Sequence, residues 1–141
     1  MEQVFSVCSA LATIGWLLLI LAPRWRWTQA VSSAAIPITI AVVYLSLIVR
    51  YMPGSSGGFG SLADVAALFN TPGLLLAGWV HYLAFDLFIG SWEVRDALRH
   101  RLPHLLVVPC LIMTFLLGPI GLLGYLLLRT WRARSIVPDA M

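Results

Sequence analysis

The sequence contains no lysine, only two cysteines and few charges of either sign. Charged residues make up 11% of its 141 residues, whereas hydrophobic residues make up 60%. A nucleic-acid-binding surface needs a dense patch of cations, but the arginines here stand beside apolar runs, where they can reach lipid headgroups. Cys8 and Cys110 lie inside apolar runs without C-x-x-C spacing, so we expect free thiols and no disulfide or zinc site. These shortages exclude a nucleic-acid partner and a cysteine framework.

The abundant feature is long apolar sequence. The mean hydropathy is +0.91, far above that of soluble domains, and the apolar residues form runs long enough to cross a hydrocarbon layer about 30 Å thick. We therefore predict an all-α, multi-pass integral membrane protein, surrounded by membrane lipids and folded as one transmembrane domain over residues 1–141. The predicted four-helix bundle has spans at residues 3–22, 30–50, 73–92 with a helical extension to 100, and 105–128.

The segments between these runs carry the signals of membrane-surface turns. The stretch PRWRW at 23–27 combines a helix-stopping proline with interfacial tryptophans, and Pro37 should bend the second span. Residues 51–61 form a Gly- and Ser-rich linker, and residues 61–70 predict a short interfacial helix capped by Ser61. The arginine-rich stretch 129–134 predicts a headgroup anchor after the fourth span. Four spans would place both termini on one face.

Most of the polar side chains of the third span share one face. At 100° per residue, six of them fall within about 140° of the helix circumference. They form a stripe from the membrane interior to its surface. These residues are His81, Tyr82, Asp86, Glu93, Asp96 and His100.

Asp86 is the most informative of these residues, because it is the only carboxylate inside an otherwise apolar span. A central aspartate costs roughly 2.5–3.5 kcal/mol on insertion scales, so it requires a partner, a proton or water. We interpret Asp86 and His81 as a candidate catalytic pair, with the other four residues as its supporting polar face. A structural hydrogen bond between helices would also satisfy either residue.

The surface end of the stripe has two further readings. Glu93, Asp96 and His100, with His104 beyond them, offer carboxylates and imidazoles to a metal ion, but one helix rarely supplies a whole site, and we predict no metal. Alternatively, this end is a solvated helix terminus in which Asp96 pairs with Arg99 at i, i+3. No cofactor is predicted.

Two sequence blocks resemble the abscisic-acid-deficient-4-like family of small membrane proteins. The first is GWVHYLAFDLFIGSWEVRDA at 78–97, and the second is PHLLVVPCLIMTFLLGPIGLLGYLLLR at 103–129. The resemblance rests on the pattern HYLAFDLF-x-G-x-W-x-x-x-D, on Pro109 and on the Gly118-Pro119-x-Gly121 element. Plant members of this family are needed to make neoxanthin from violaxanthin, a step that opens a carotenoid epoxide to an allenic alcohol.

The resemblance implies an isomerase acting on a carotenoid or another isoprenoid lipid. Epoxide opening needs an acid at the oxygen and a base near the carbon, shielded from water, and Asp86 with His81 would supply them. The chain begins directly at its first span, without a plastid transit segment. We therefore expect a bacterial inner-membrane protein, or a plastid-membrane protein in trimmed form.

Two other classes remain open. The first is a non-catalytic protein that binds pigment or lipid, or that acts with a partner enzyme or as a homo-oligomer. In such a protein Asp86 would only form a structural hydrogen bond between helices. A proton-coupled carrier could use one acidic span, but four short spans without a repeat disfavour it.

Overall fold

The structure, a computed structural model, describes residues 1–133. Within this range it is all helical, with six helices joined by short turns. Three helices are long and apolar enough to cross a membrane: α1, α2 and α4. The helices are α1 (Glu2–Leu21), α2 (Thr28–Tyr51), α3 (Leu62–Phe69), α4 (Pro72–Arg99), α5 (His104–Leu117) and α6 (Pro119–Ala133).

The first two long helices correspond to the first two predicted spans. Helix α2 contains a π-helical turn, Val31–Ala35, immediately before Pro37. A proline inside a helix removes one backbone donor and crowds the preceding turn, so the wider π turn accommodates the disturbance predicted there. The Ser32 hydroxyl in this turn donates to the Gly15 carbonyl oxygen at 3.1 Å and joins α2 to α1.

The short helix α3 follows the Gly- and Ser-rich linker. The Ser61 hydroxyl accepts a hydrogen bond from the Asp64 backbone N–H at 3.1 Å, as the predicted cap requires. Helix α4 begins at Pro72, shortly after α3 ends at Phe69. In the first turn of a helix a proline costs no hydrogen bond.

Helix α4 is the centre of the molecule. It runs without a break for 28 residues and packs against all the other helices. Gly90 lets the ring of Trp16 lie directly on the α4 backbone, since a Cβ at position 90 would collide with that ring. The predicted third span and its extension are thus one continuous helix.

The fourth predicted span is not confirmed. Residues 105–128 do not form one helix, because the chain turns back at Gly118, whose φ of +48° is strained for any residue with a side chain. Helices α5 and α6 lie against each other as a hairpin, and a Cβ at Gly121 would overlap the Thr114 backbone. Small residues therefore allow the two backbones to approach closely.

The hairpin changes the topology. We call the side where α1 begins the first face and the side where α1 ends the second face. The hairpin starts at the second face, where the His104 ring bonds the Ile20 carbonyl oxygen at 2.9 Å, and it returns there, where Arg129 meets His100. Its tip lies beside Asp86, partway along α4. The architecture is therefore three long helices plus a re-entrant hairpin, and Ala133 lies on the face opposite to the N-terminus.

Candidate functional site

The predicted polar face of α4 meets the hairpin from Tyr82 to His100. Five of the six residues on the predicted face lie next to α5, to α6 or to the turn between them. These contacts are Tyr82 with Phe115, Asp86 with Gly118, Glu93 with Thr114, Asp96 with Tyr125 and Arg129, and His100 with Arg129.

The innermost part of this interface surrounds Asp86. A Cβ built on Gly118 would lie 3.2 Å from both carboxylate oxygens, so the glycine allows the carboxyl to touch the turn. The Tyr82 hydroxyl lies beside the same carboxyl and donates to the Phe115 carbonyl oxygen at 2.8 Å. Within residues 1–133, Asp86 Oδ2 is buried without a hydrogen-bond partner. One carboxylate oxygen beside the hairpin tip is therefore unsatisfied by the described residues.

The middle of the interface contains Glu93. Its side chain is fully buried, and the Thr114 hydroxyl lies 2.9 Å from Oε1 and 3.2 Å from Oε2. Thr114 is also fully buried and comes from the last turn of α5. A single hydroxyl is a weak partner for a carboxylate that is removed from water.

The second-face end is a dense polar cluster. Arg129 Nε lies 2.7 Å from Asp96 Oδ2, and the Tyr125 hydroxyl donates to the same oxygen at 2.5 Å. Arg129 Nη2 donates to His100 Nε2 at 3.2 Å. An arginine can only donate, so His100 carries its hydrogen on Nδ1 and directs it at the Asp96 carbonyl oxygen, 2.9 Å away.

This cluster corrects two sequence-based readings. Arg129 was expected to reach headgroups, yet it is fully buried and paired with Asp96. The alternative reading paired Asp96 with Arg99 in solvent, but the closest partners of Asp96 are Tyr125 and Arg129 of α6. Sequence reasoning missed Thr114, Tyr125 and Arg129 as parts of the site, because local spacing cannot bring α6 back along α4.

The structure does not bring His81 and Asp86 together. The His81 imidazole is exposed, stacks on Phe85 at 4.5 Å between ring centroids and lies near Tyr44 of α2. Asp86 points instead at the hairpin tip. The two residues are only five positions apart on α4, but about 140° of helix rotation separates their directions.

A long apolar groove occupies the first-face half of the molecule. It exists because the hairpin stops at Gly118 and leaves the space between α1 and α4 unfilled above its tip. The groove has a volume of about 940 Å³. Tyr82, Phe115 and Leu116 line its inner end, Phe5 and Trp79 its wall, and Met1, Glu2 and Phe69 its outer end.

The wall of the groove is held by aromatic packing. Phe5 and Trp79 stack at 5.5 Å between ring centroids, and the Trp79 indole N–H donates to the Ser9 hydroxyl at 3.1 Å. Trp79 in turn contacts the Tyr82 ring at 5.4 Å. A continuous aromatic surface therefore leads from the outer end of the groove to the residue beside Asp86.

The metal reading finds no support in the geometry. No three His, Cys, Asp or Glu side chains among residues 1–133 gather as ligands for a metal ion. His104 bonds the Ile20 carbonyl oxygen on α1 instead of joining Glu93, Asp96 and His100.

Comparison with known proteins places the chain in a family. No curated protein and no solved structure matches it. A family model described as ABA4-like, or ABA DEFICIENT 4-like, matches residues 3–125. The match covers the three long helices except Glu2, the groove except Met1 and Glu2, the hairpin tip and Tyr125. The chain therefore belongs to the ABA4-like family.

Proposed function

We propose that the protein binds an extended isoprenoid lipid in the apolar groove and isomerises it at Asp86. The observation that carries this proposal is that Tyr82, which lines the inner end of the groove, lies beside Asp86, a half-buried carboxyl with one unsatisfied oxygen. Membership of the ABA4-like family relates the chain to neoxanthin synthesis, which favours a carotenoid epoxide as the substrate.

The groove suits a long apolar molecule. Its volume of about 940 Å³ lies at the upper end of the range of roughly 300–1,000 Å³ for small-molecule sites. Its wall presents the flat rings of Phe5 and Trp79, against which a rigid polyene can lie. A lipid in the first-face leaflet could enter sideways, without passing through water.

The proposed chemistry uses both oxygens of Asp86. A protonated carboxyl donates its hydrogen to the epoxide oxygen as the carbon–oxygen bond breaks, and positive charge develops on the tertiary carbon. The carboxylate then removes a proton from the neighbouring vinylic carbon, which forms the allene and restores the acid. No atom is gained or lost, and the enclosed tip keeps water from adding to the cation.

Tyr82 is the second residue that we place at the reacting end. Its hydroxyl stands beside Asp86 and its ring lines the groove, so it can orient the polar end of the substrate. Pairing of His81 with Asp86 is not favoured by the geometry, and a catalytic role for His81 stays a prediction.

The alternative is a pigment- or lipid-binding protein without catalysis, or an accessory subunit. The groove favours it independently, because apolar lining and aromatic stacking bind a polyene whether or not Asp86 reacts. A partner enzyme or a second copy of the chain would then complete the reaction. Location in a bacterial inner membrane, or in a plastid membrane, remains part of the same proposal.

The two candidates separate in a host that makes violaxanthin. We would express the wild type, Asp86→Asn and the matched control Asp64→Asn, which makes the same change on the short helix α3. Extracted pigment and neoxanthin are then measured in each preparation. We expect Asp86→Asn to retain bound carotenoid but to lose about 100-fold or more of the product, the range of general acid–base catalysis.

Other outcomes decide against one part of the proposal. Full product formation by Asp86→Asn would rule out its catalytic role and leave the binding function. Absence of any carotenoid or isoprenoid from the purified wild type would rule out the ligand class. His81→Gln, assayed in parallel, should reduce the product less than Asp86→Asn does.

A further inference from the structure

Glu93 is a buried acid without a compensating cation among its contacts. Its side chain has no exposed surface, and its hydrogen-bond partner is the Thr114 hydroxyl. The nearby cation, Arg129, is engaged by Asp96 and His100. An ionised carboxyl in such a place would cost several kcal/mol, whereas a protonated one avoids most of that cost.

The other titratable groups around Glu93 do not change this balance. Helix α4 contributes two more acids. Asp86 lies two turns before Glu93, and Asp96 lies about one turn after it. Helix α5 contributes the Cys110 thiol, and α6 contributes the Tyr125 hydroxyl. Charges on the two neighbouring acids can only oppose a charge on Glu93, and the thiol and phenol add no positive charge.

A series of polar side chains leads from the neighbourhood of Glu93 to the second face. Tyr125 lies near Glu93 and donates to Asp96 Oδ2 at 2.5 Å. Asp96 Oδ1 lies 3.5 Å from Nδ1 of His100, which is partly exposed at the second face. Towards the first face, the hairpin tip and the apolar groove intervene.

We propose that Glu93 stores a proton in the resting protein and exchanges it with the aqueous phase at the second face through Tyr125, Asp96 and His100. The Tyr125 hydroxyl turns from Asp96 towards Glu93 and gives its proton to Glu93, and the Tyr125 oxygen then takes up the proton that has reached the Asp96 carboxylate. The route runs in reverse when Glu93 gives up its proton. No other reactant is needed.

A role of the proton stored on Glu93 in catalysis rests on the proposed function. Asp86 must begin each cycle protonated, and Glu93 lies about 10 Å from it along the same helix face. The lipid then reaches the site from the first face and the proton from the second, and the hairpin tip separates the two. The stored proton itself does not depend on any substrate.

Infrared spectroscopy of the purified protein tests the proposal without a substrate. A protonated carboxyl has a C=O stretching band distinct from that of a carboxylate. We expect such a band at neutral pH in the wild type and in Asp86→Asn, and its loss in Glu93→Gln. Absence of any band assignable to Glu93 would overturn the proposal while leaving the proposed function intact.

Hydrogen–deuterium exchange of that band tests the route. Tyr125→Phe removes the hydroxyl on the second-face side, and Tyr82→Phe makes the same change on the groove side. We expect Tyr125→Phe to slow exchange about tenfold or more and Tyr82→Phe to leave the rate near that of the wild type. Equal rates in the two variants, or slowing by Tyr82→Phe alone, would refute the route.

A stability measurement covers the case in which Tyr125→Phe does not fold. Glutamine matches a neutral glutamic acid in shape and charge, so Glu93→Gln should unfold within a few degrees of the wild-type temperature. A large loss of stability in Glu93→Gln would mean that the native residue is charged and paired, and would contradict the proposal.

Discussion

Arg129 of α6 and Asp96 of α4 form a buried ion pair, with 2.7 Å between Arg129 Nε and Asp96 Oδ2. The pair joins residues 33 positions apart and holds the returning arm of the hairpin against the central helix. Tyr125 and His100 complete the hydrogen bonding around it. We call these four residues the clamp. The position of the hairpin tip, and hence the shape of the site at Asp86, depends on the clamp.

Removal of one member of the clamp should destabilise the protein strongly. Arg129→Met leaves the Asp96 carboxylate buried without its cation, which costs about 3–5 kcal/mol in comparable buried pairs. The exposed neighbour Arg132→Met is the matched control and should change stability by less than about 0.5 kcal/mol. Thermal or denaturant unfolding in detergent measures both. The double variant Asp96→Leu/Arg129→Met should recover part of the loss, and no recovery would argue against a direct pair.

A side chain at position 118 should disrupt the turn and the site together. Gly118→Ala places its Cβ 3.2 Å from both Asp86 oxygens on a backbone with φ of +48°. Strained backbone of this kind costs about 1–3 kcal/mol. We expect reduced stability and little product. Gly124→Ala is the control, because its Cβ would meet only the Cys110 sulfur at 3.9 Å and should be tolerated.

The re-entrant hairpin predicts a definite orientation in the membrane. We count the arginines of residues 1–133 other than the buried Arg129. The first face has one of them, Arg50. The second face has Arg24, Arg26, Arg95, Arg99, Arg101 and Arg132. Because cytoplasmic loops are enriched in arginine, the second face should be cytoplasmic and the N-terminus should lie outside.

Cysteine labelling measures this orientation. In a background of Cys8→Ser/Cys110→Ser, a membrane-impermeant thiol reagent added outside intact cells should label Glu2→Cys and not Arg132→Cys. Labelling of Arg132→Cys should need permeabilised cells. If both positions react from the same side, residues 105–128 cross the membrane as a single span and the four-span reading is restored.

Filling the groove should prevent lipid binding without unfolding the protein. Thr13→Trp places a large ring among the residues that line the groove, whereas Ile14→Trp places the same ring on the adjacent exposed position of α1. We expect about tenfold less isoprenoid to be extracted from purified Thr13→Trp than from purified Ile14→Trp. The two variants should unfold at similar temperatures. Equal retention would locate the bound lipid elsewhere.

Much of the fold follows directly from the order of residues. Unbroken apolar runs closed by Pro, Trp and Arg set the three long helices, because a buried backbone without water must satisfy its hydrogen bonds within the helix. Helical spacing likewise placed six polar residues on one face of α4, and five of them meet the hairpin, whereas His81 does not. Ser61 marked the start of α3 in the same local way.

The sequence by itself thus determined the membrane class, the long helices and the polar stripe, since each depends on local periodicity and hydropathy. Only the tertiary structure decided that Gly118 reverses the chain, because a glycine followed by a proline in an apolar run fits a kink as well as a turn. That reversal brings Arg129 to Asp96, places the hairpin tip against Asp86 and leaves the groove open. These relationships depend on the packing of distant segments, on which local spacing carries no information.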